Sequence, residues 1–190
     1  ALLRALLVQT NARMDDLAAA ISTEMGAPIS MARSEQAATG LWHLEAFIDL
    51  LEKQEERKTL PNGDILLREP VGVCGLITPW NWPVNQVAAK VIPALAAGCT
   101  VVLKPSEHTP IAAAIYAEMI DAAGFPAGVF NLVQGDGATV GAAMSRHRDI
   151  DMMSFPGGKA DQQGRGRYGQ ARGAGARRQI PQHSLRRLRP

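Results

Sequence analysis

The sequence has 190 residues, of which 46% are hydrophobic, enough for one α/β domain with a buried core or for one domain and an arm. The mean hydropathy is −0.06 and no apolar run reaches the ~18 residues of a membrane span, so the chain is predicted to be soluble and globular. Two cysteines, Cys74 and Cys99, lie in apolar runs, which suits a reducing cytoplasm and argues against a disulfide framework. The four histidines show no metal-ligand spacing.

The charge is divided unevenly along the chain. Residues 1–155 hold 11 Lys and Arg against 17 Asp and Glu, a net charge of −6, whereas residues 156–190 hold 9 basic residues and one acid, a net charge of +8. The last segment also holds only three of Ile, Leu, Val and Met, together with seven glycines. Such a composition cannot bury enough apolar surface to offset its ordering entropy. Residues 156–190 are therefore predicted to be a disordered, basic, low-complexity tail.

Helical periodicity opens the chain. Apolar residues recur at helical spacing over 1–24, and "GAP" after Met25 ends that helix. A second pattern from about 30 to 56 completes a region of N-terminal helices, 1–58. An Asn-Gly turn signal between extended pieces then predicts a β-hairpin arm over 59–70. The first residue is Ala rather than Met, which suggests a fragment or a trimmed chain.

Residues 71–155 alternate between buried strands and helices. The strands are "VGVCGLIT", "CTVVLKP", "GVFNLVQG" and "DIDMMSF", and helical patterns separate them. Continuous apolar strands alternating with helices are typical of a parallel sheet with right-handed crossovers. The predicted fold class is therefore α/β, with a Rossmann-like parallel sheet. Ligands of such folds bind at the carboxyl ends of the strands, so the loops after the strands are the candidate sites.

The loop "KPSEHTP" follows the second strand and leads into a helix. Lys104 offers an ammonium group, Ser106 a hydroxyl and Glu107 a carboxylate. This set suits the hydroxyls of a nucleotide ribose, and the carboxylate would repel a 2′-phosphate. The alternative interpretation is a capped helix start with solvated charges, which this loop alone favours.

The loop "QGDGATVG" is rich in glycine, with Gly135, Gly137 and Gly141 ahead of a helix. A helix that begins in this way can meet a phosphate at its N-terminus. The spacing is not that of the G-x-G-x-x-G dinucleotide motif. By itself it favours an ordinary turn.

The loop "TPWNWP" is stiff and aromatic. Pro79 and Pro83 each fix φ and restrict the residue before them. A buried Asn81 amide must find partners or serve a ligand, and an amide donor held near a reacting carbonyl is what an oxyanion hole requires. The alternative is a structural turn whose tryptophans fill the core.

These loops occur in an order that is itself informative. The segment "REPVGVCGLITPWNWPVNQVAAKVIPALAAGCTVVLKPSEHTP" closely resembles the NAD(P)-dependent aldehyde dehydrogenase superfamily. The similarity covers about 155 of the 190 residues and ends at Phe155. It implies that Asn81 is the oxyanion-hole asparagine. It also implies a cofactor-binding set, with Glu107 favouring NAD over NADP: Ile77, Thr78, Pro79, Trp80, Lys104, Ser106, Glu107, Gly137, Phe155 and Gly157.

Parts of the family pattern are not found in this sequence. "F-P-G-G" from Phe155 stands where the family has "F-T-G-S", so two hydroxyls near the cofactor phosphates are replaced. The family's general-base motif "E-L-G-G-K" and its nucleophilic cysteine do not occur either, and Cys74 and Cys99 fit inert core positions. The chain is thus expected to be a truncated fragment that also lacks part of the family's oligomerisation elements.

Two hypotheses account for the tail. Codons for "E-L-G-G-K-S-P-N-I", read two bases later, can give the sequence "ARRQIPQH" of residues 176–183, so the segment from about 156 fits out-of-frame translation. A functional arm that binds RNA or DNA through its arginines is the alternative. It is less favoured because Tyr168 is the only aromatic residue of the tail and base stacking would be poor.

The resemblance implies NAD-dependent oxidation of an aldehyde to a carboxylic acid by a homo-oligomeric enzyme. The cysteines predict a cytoplasmic location, and the histidine spacing predicts no metal site. For this chain, a non-catalytic nucleotide-binding or interaction remnant is the alternative.

Overall fold

The computed structural model describes residues 1–155 and, for the backbone alone, residues 170–171 and 186–188. Within that part, the helices in chain order are α1 Leu2–Ala12, α2 Met14–Met25, α3 Ile29–Met31, α4 Thr39–Lys53, α5 Pro83–Ala96, α6 Pro110–Ala122 and α7 Ala142–Arg146. The strands are β1 Arg57–Thr59, β2 Ile65–Leu67, β3 Val73–Ile77, β4 Thr100–Lys104, β5 Phe130–Leu132, β6 Met152–Ser154, β7 Gln170–Ala171 and β8 Arg186–Leu188. None of the described helices is both long and apolar enough to cross a bilayer.

The larger sheet confirms the predicted fold class. Its strand order is β5-β4-β3-β6-β7, and β3 pairs in parallel with β4 on one side and β6 on the other. The chain moves outward from β3 through β4 to β5 and then returns to the opposite side of β3. The crevice between the carboxyl ends of β3 and β6 is therefore a topological switch point, where open α/β sheets bind ligands.

Two layers of helices cover one face of the larger sheet. α5 packs on β3 and β4 and α6 on β5, because right-handed crossovers place both on one face. The N-terminal helices pack on this layer in turn: α1 and α2 contact α6, and α4 contacts α5. The fully buried Leu6, Leu17, Leu44, Ile92 and Tyr116 belong to the core between the layers.

The N-terminal helices are more divided than the periodicity predicts. The first helical pattern is interrupted at Arg13, between α1 and α2. The second pattern begins with α3, continues through a π-helical turn, Ala32–Ala37, and runs on as α4. The π-turn brings Gln36 to 1% exposure, a burial that a regular amphipathic helix would not predict for a glutamine.

The predicted hairpin arm is present and begins slightly earlier than expected. β1 and β2 pair antiparallel, with Arg57 opposite Leu67, so the arm starts inside the region assigned to the N-terminal helices. β8 adds to the other side of β2, and β7 adds to β6. The sequence predicts neither of these two short strands. The predicted disorder of the rest of 156–190 lies outside the described residues.

Candidate functional site

The candidate loops meet at one edge of the larger sheet. The loop with Asn81 follows β3, the loop with Ser106 and Glu107 follows β4, and Phe155 follows β6. The parallel pairing of these strands brings their carboxyl ends together. The Thr78 backbone N–H donates to the Lys104 carbonyl at 3.1 Å, which joins the first two loops where they leave the sheet.

Lys104 is a buried cation at the end of β4. Lys104 is 1% exposed. Its ammonium donates to the Pro105 carbonyl at 2.7 Å and lies 3.5 Å from the Glu107 carboxylate. The Glu107 side chain is 48% exposed. This pair presents an accessible carboxylate whose position a buried cation restrains, which is suited to accepting hydrogen bonds from hydroxyl groups.

Glu107 is held in its ionised form. Its carboxylate accepts a hydrogen bond from its own backbone N–H. This bond, helped by attraction to Lys104, outweighs partial burial and lowers the pKa of the carboxyl group below its ordinary value. The neighbouring Ser106 hydroxyl is mostly buried and accepts from the His108 backbone N–H at 3.2 Å. The loop is therefore ordered by its own contacts, and the exposed Glu107 carboxylate can accept further hydrogen bonds from the hydroxyl groups of a ligand.

The glycine-rich loop begins a helix as a π-turn, Gly137–Gly141, ahead of α7. The Asp136 side chain caps the turn by accepting from the Thr139 backbone N–H at 2.8 Å, and this bond lowers the pKa of Asp136. A Cβ built on Gly141 would lie 3.5 Å from Ile77 Cδ1 and 3.8 Å from Lys104 Cε. The turn thus packs directly on the ends of β3 and β4.

Asn81 projects from a strained, exposed loop. Trp80 is 50% exposed, Asn81 is exposed and Trp82 is half-buried. Trp82, the N-cap of α5, has φ +63° and ψ +58°, the one non-glycine residue with positive φ in the described part of the chain. The tryptophans therefore do not fill the core, contrary to the structural-turn alternative. The Asn81 amide needs no protein partner because it is not buried.

The side chains of Lys90 and Ser154 join α5 to β6 beside this edge, and sequence patterns did not identify either residue. The Lys90 ammonium donates to Ser154 Oγ at 2.8 Å. Burial lowers the pKa of Lys90 to about 8. A lysine within an amphipathic helix gives no sequence signal of this kind, because its partner Ser154 lies 64 residues further along the chain.

The two cysteines lie at the opposite edge of the sheet. Cys74 is the second residue of β3 and Cys99 precedes β4; they are 0% and 3% exposed, and both are free thiols. A hydrogen bond to Cys99, together with burial, raises the pKa of Cys74 well above its ordinary value. Neither thiol is presented to a ligand at the carboxyl edge.

The predicted cofactor residues that the structure describes lie at or after the carboxyl ends of the strands. Ile77, Thr78, Pro79 and Trp80 follow or end β3, while Gly137 opens the π-turn. Phe155 is half-buried after β6, and Gly157 lies outside the described residues. Over the described residues, no group of three or more His, Cys, Asp or Glu is placed to hold a metal ion. The edge thus presents an exposed carboxylate at Glu107, an open glycine position at Gly137 and an exposed amide at Asn81.

The fold and this edge define an α/β domain of the Rossmann-like class, and comparisons with known proteins narrow that class. The model of the aldehyde dehydrogenase family matches residues 1–165. The chain therefore belongs to the aldehyde dehydrogenase family. The match extends past Phe155, where the sequence resemblance was expected to end.

Individual relatives agree with this assignment. The chain is 51% identical over 146 residues, 76% of its length, to a 3-succinoylsemialdehyde-pyridine dehydrogenase of a Pseudomonas species, and covers 30% of it. It is 48% identical over 159 residues, 83% of its length, to a putative aldehyde dehydrogenase of Staphylococcus aureus, and covers 33% of it.

Solved structures show the same relationship. An aldehyde dehydrogenase C mutant from Pseudomonas syringae, in complex with NAD+ and octanal, matches 81% of this chain at 49% identity with a TM-score of 0.79. The match covers 32% of that structure's chain. The chain thus spans about a third of the length of the relatives that it matches.

Proposed function

We propose that this chain binds NAD at the carboxyl edge of its larger sheet and presents Asn81 to the oxygen of an aldehyde. The observation that carries the proposal is the Lys104–Glu107 pair, which lies beside the glycine-rich turn at the same edge as Asn81. The family membership and the NAD+-bound relative support it.

The polar groups at this edge fit a dinucleotide. An ionised, exposed Glu107 can accept hydrogen bonds from the two hydroxyls of a ribose. No atom lies within 4 Å of a Cβ built on Gly137, so a dinucleotide could approach the backbone closely at the glycine-rich turn. A phosphate on the ribose would meet the Glu107 carboxylate and be repelled, although Lys104 partly offsets that charge. The residues present therefore fit NAD better than NADP.

The chemistry that we propose for the whole site is oxidation of an aldehyde to a carboxylic acid, in which NAD would supply the hydride acceptor. Asn81 would donate a hydrogen bond to the carbonyl oxygen as negative charge develops on it, and an amide on a rigid loop needs little reorganisation to do so. Two relatives, the aldehyde dehydrogenase C solved with octanal and the 3-succinoylsemialdehyde-pyridine dehydrogenase, support an aldehyde substrate.

This chain does not present the thiolate that the reaction needs, because its two thiols are buried at the far edge of the sheet. We therefore propose that the isolated 190-residue chain binds NAD without turning over aldehydes. The sequence left open the alternative of a non-catalytic nucleotide-binding module. For this chain, nucleotide binding is the activity that its own residues support.

Calorimetric titration of the purified chain with NAD and with NADP tests the proposal. We expect saturable NAD binding and weaker NADP binding, with no NADH produced from octanal or other simple aldehydes. Lys104→Met keeps the length of the side chain but removes the charge that restrains Glu107, and it should weaken NAD binding. Lys53→Met, at an exposed position on α4, is the matched control. The proposal would be refuted if injections of NAD into the chain released the same heat as injections of NAD into buffer.

Three further proposals concern context. A reducing cytoplasmic location is supported by two neighbouring thiols that remain free. Assembly with further copies, as in the homo-oligomeric family, is supported only by family membership. Out-of-frame translation of the tail is supported by its change of charge and composition after Phe155. Sequencing the encoding locus tests the last: an intact frame without displaced "E-L-G-G-K" codons would end it.

A further inference from the structure

The N-terminus of α6 is capped from a distant part of the chain. Thr109 occupies the N-cap position, as its sequence context suggests, but its side chain makes no capping hydrogen bond. Instead, the Glu24 carboxylate, from the last turn of α2, accepts from the backbone N–H groups of Ile111 and Ala112, the latter at 3.1 Å. Pro110 has no N–H to satisfy, so Glu24 takes the first two amide donors that α6 offers.

This contact is favourable for two physical reasons. Helix N-termini leave their first N–H groups without partners, and a carboxylate that accepts two of them satisfies donors that would otherwise need water. The carboxylate also lies at the positive end of the helix dipole. Because Glu24 and Ile111 are 87 residues apart, the bond joins the N-terminal helices to the nucleotide-binding region.

The capped turn lies between two of the candidate loops. Ser106 and Glu107 lie three and two residues before Thr109, whose backbone N–H donates to the Ser106 carbonyl at 3.1 Å. From the other side, the Gln134 amide of the glycine-rich loop donates to the Pro110 carbonyl at 3.3 Å. The first turn of α6 is therefore a common support for the loop that carries Glu107 and the loop that carries Gly137.

From this arrangement we infer that Glu24 is a positioning residue of the nucleotide site, acting through the first turn of α6 to hold the loop of Ser106 and Glu107. The inference rests on the proposed NAD binding. It assigns a role in that binding to Glu24, a residue that would act through α6 without contacting the nucleotide. When the cap is lost, the first turn frays, a smaller fraction of molecules has the binding-competent loop, and the apparent Kd rises in inverse proportion to that fraction.

The test uses the full 190-residue chain and three variants. Glu24→Ala removes both acceptors, and Glu24→Gln keeps one carbonyl oxygen. Glu118→Gln is the matched control, because it alters an exposed acid of the same helix that contacts Arg13 rather than the first turn. Titrations with NAD, ADP-ribose and nicotinamide mononucleotide are combined with hydrogen exchange of the backbone amides over 106–112.

For Glu24→Ala we expect the Kd values of NAD and ADP-ribose to rise by the same factor, up to roughly 30-fold, the upper limit that loss of a helix cap sets. Glu24→Gln should lie between this variant and the unchanged chain, and Glu118→Gln should bind as the unchanged chain does. Affinity for nicotinamide mononucleotide should not change. The amides of Ile111 and Ala112 should exchange faster in Glu24→Ala, whereas general destabilisation would leave the Kd of the folded chain unaltered.

Unchanged NAD affinity in Glu24→Ala would overturn the inference, as would unchanged exchange over 106–112. If the unmodified chain binds no NAD, the proposed function fails, and hydrogen exchange alone decides this inference. Faster exchange confined to 106–112 in Glu24→Ala would then support Glu24 as the residue that holds the loop, and unaltered exchange would refute it.

Discussion

The Lys90 ammonium donates to Ser154 Oγ over 2.8 Å, so a helix that begins next to Asn81 is tied to the strand that ends next to Phe155. Both residues lie beside the switch point of the sheet. Burial there lowers the pKa of Lys90 to about 8, against 10.5 for the ordinary group, so the folded chain holds this proton less tightly than the unfolded chain.

A pH dependence of stability follows from that difference. Between pH 8 and pH 10.5 the unfolded chain binds more protons at Lys90 than the folded chain does, so the contribution of Lys90 to the free energy of unfolding should rise with pH. Lys90→Met should remove this rise, and Lys53→Met, on an exposed face, should keep it. Urea midpoints at pH 7.5, 8.5 and 9.5 measure it, and parallel curves for all three proteins would contradict it.

The buried thiols should be chemically silent in the folded chain. Cys74 and Cys99 are almost fully enclosed in the sheet, and thiol reactivity requires an accessible thiolate. We expect a colorimetric thiol reagent to label neither residue in buffer and both in concentrated urea. Rapid labelling of one thiol under native conditions would show that the amino edge of the sheet opens, and would reopen the question of a nucleophile in this chain.

Gly72 should be intolerant of a side chain. It has φ +116°, and a Cβ there would overlap the Asp151 carboxylate, which accepts from the Val73 backbone N–H at 2.8 Å. Gly72→Ala should therefore lower the free energy of unfolding by about 1–2 kcal/mol for the backbone and by roughly 1–3 kcal/mol more for overpacking.

Gly128→Ala is the matched control for this substitution, since Gly128 has φ +84° and open space around it. It should show only the backbone cost of about 1–2 kcal/mol. Urea denaturation of the two variants gives the comparison, and equal losses would mean that Asp151 moves aside without cost.

Glu107 should set the preference between the two nicotinamide dinucleotides. Glu107→Gln keeps the shape of the side chain but removes the charge that repels a 2′-phosphate. Hydrogen bonds to charged groups contribute about 1.5–3 kcal/mol, so NAD affinity should fall roughly tenfold or more while NADP affinity rises. Titration of both dinucleotides measures the ratio. An unchanged ratio would remove Glu107 from the ribose site.

Sequence reasoning succeeded where local signals and long-range structure agree. Strand and helix alternation was enough to predict the parallel sheet, and the Asn62-Gly63 turn predicted the hairpin. It failed where a contact depends on a distant segment. Nothing near Thr109 indicates that Glu24 would replace it as the cap, and nothing near Lys90 indicates its burial. The exposure of Asn81 was equally hidden, because it depends on what surrounds the loop.

The left-handed backbone of Trp82 has a consequence for mutational tolerance at this position. Trp82 has φ +63° directly before Pro83, a combination that steric contacts with the proline ring disfavour. Residues that enter this conformation easily, such as Gly or Asn, should therefore be accepted despite their small size, whereas Val or Ile, which match Trp better in hydrophobicity, should be rejected. In a saturation library, the stability of variants at Trp82 should follow how easily each residue adopts positive φ and not the volume of its side chain. At a core position such as Leu76, side-chain volume should decide the order instead.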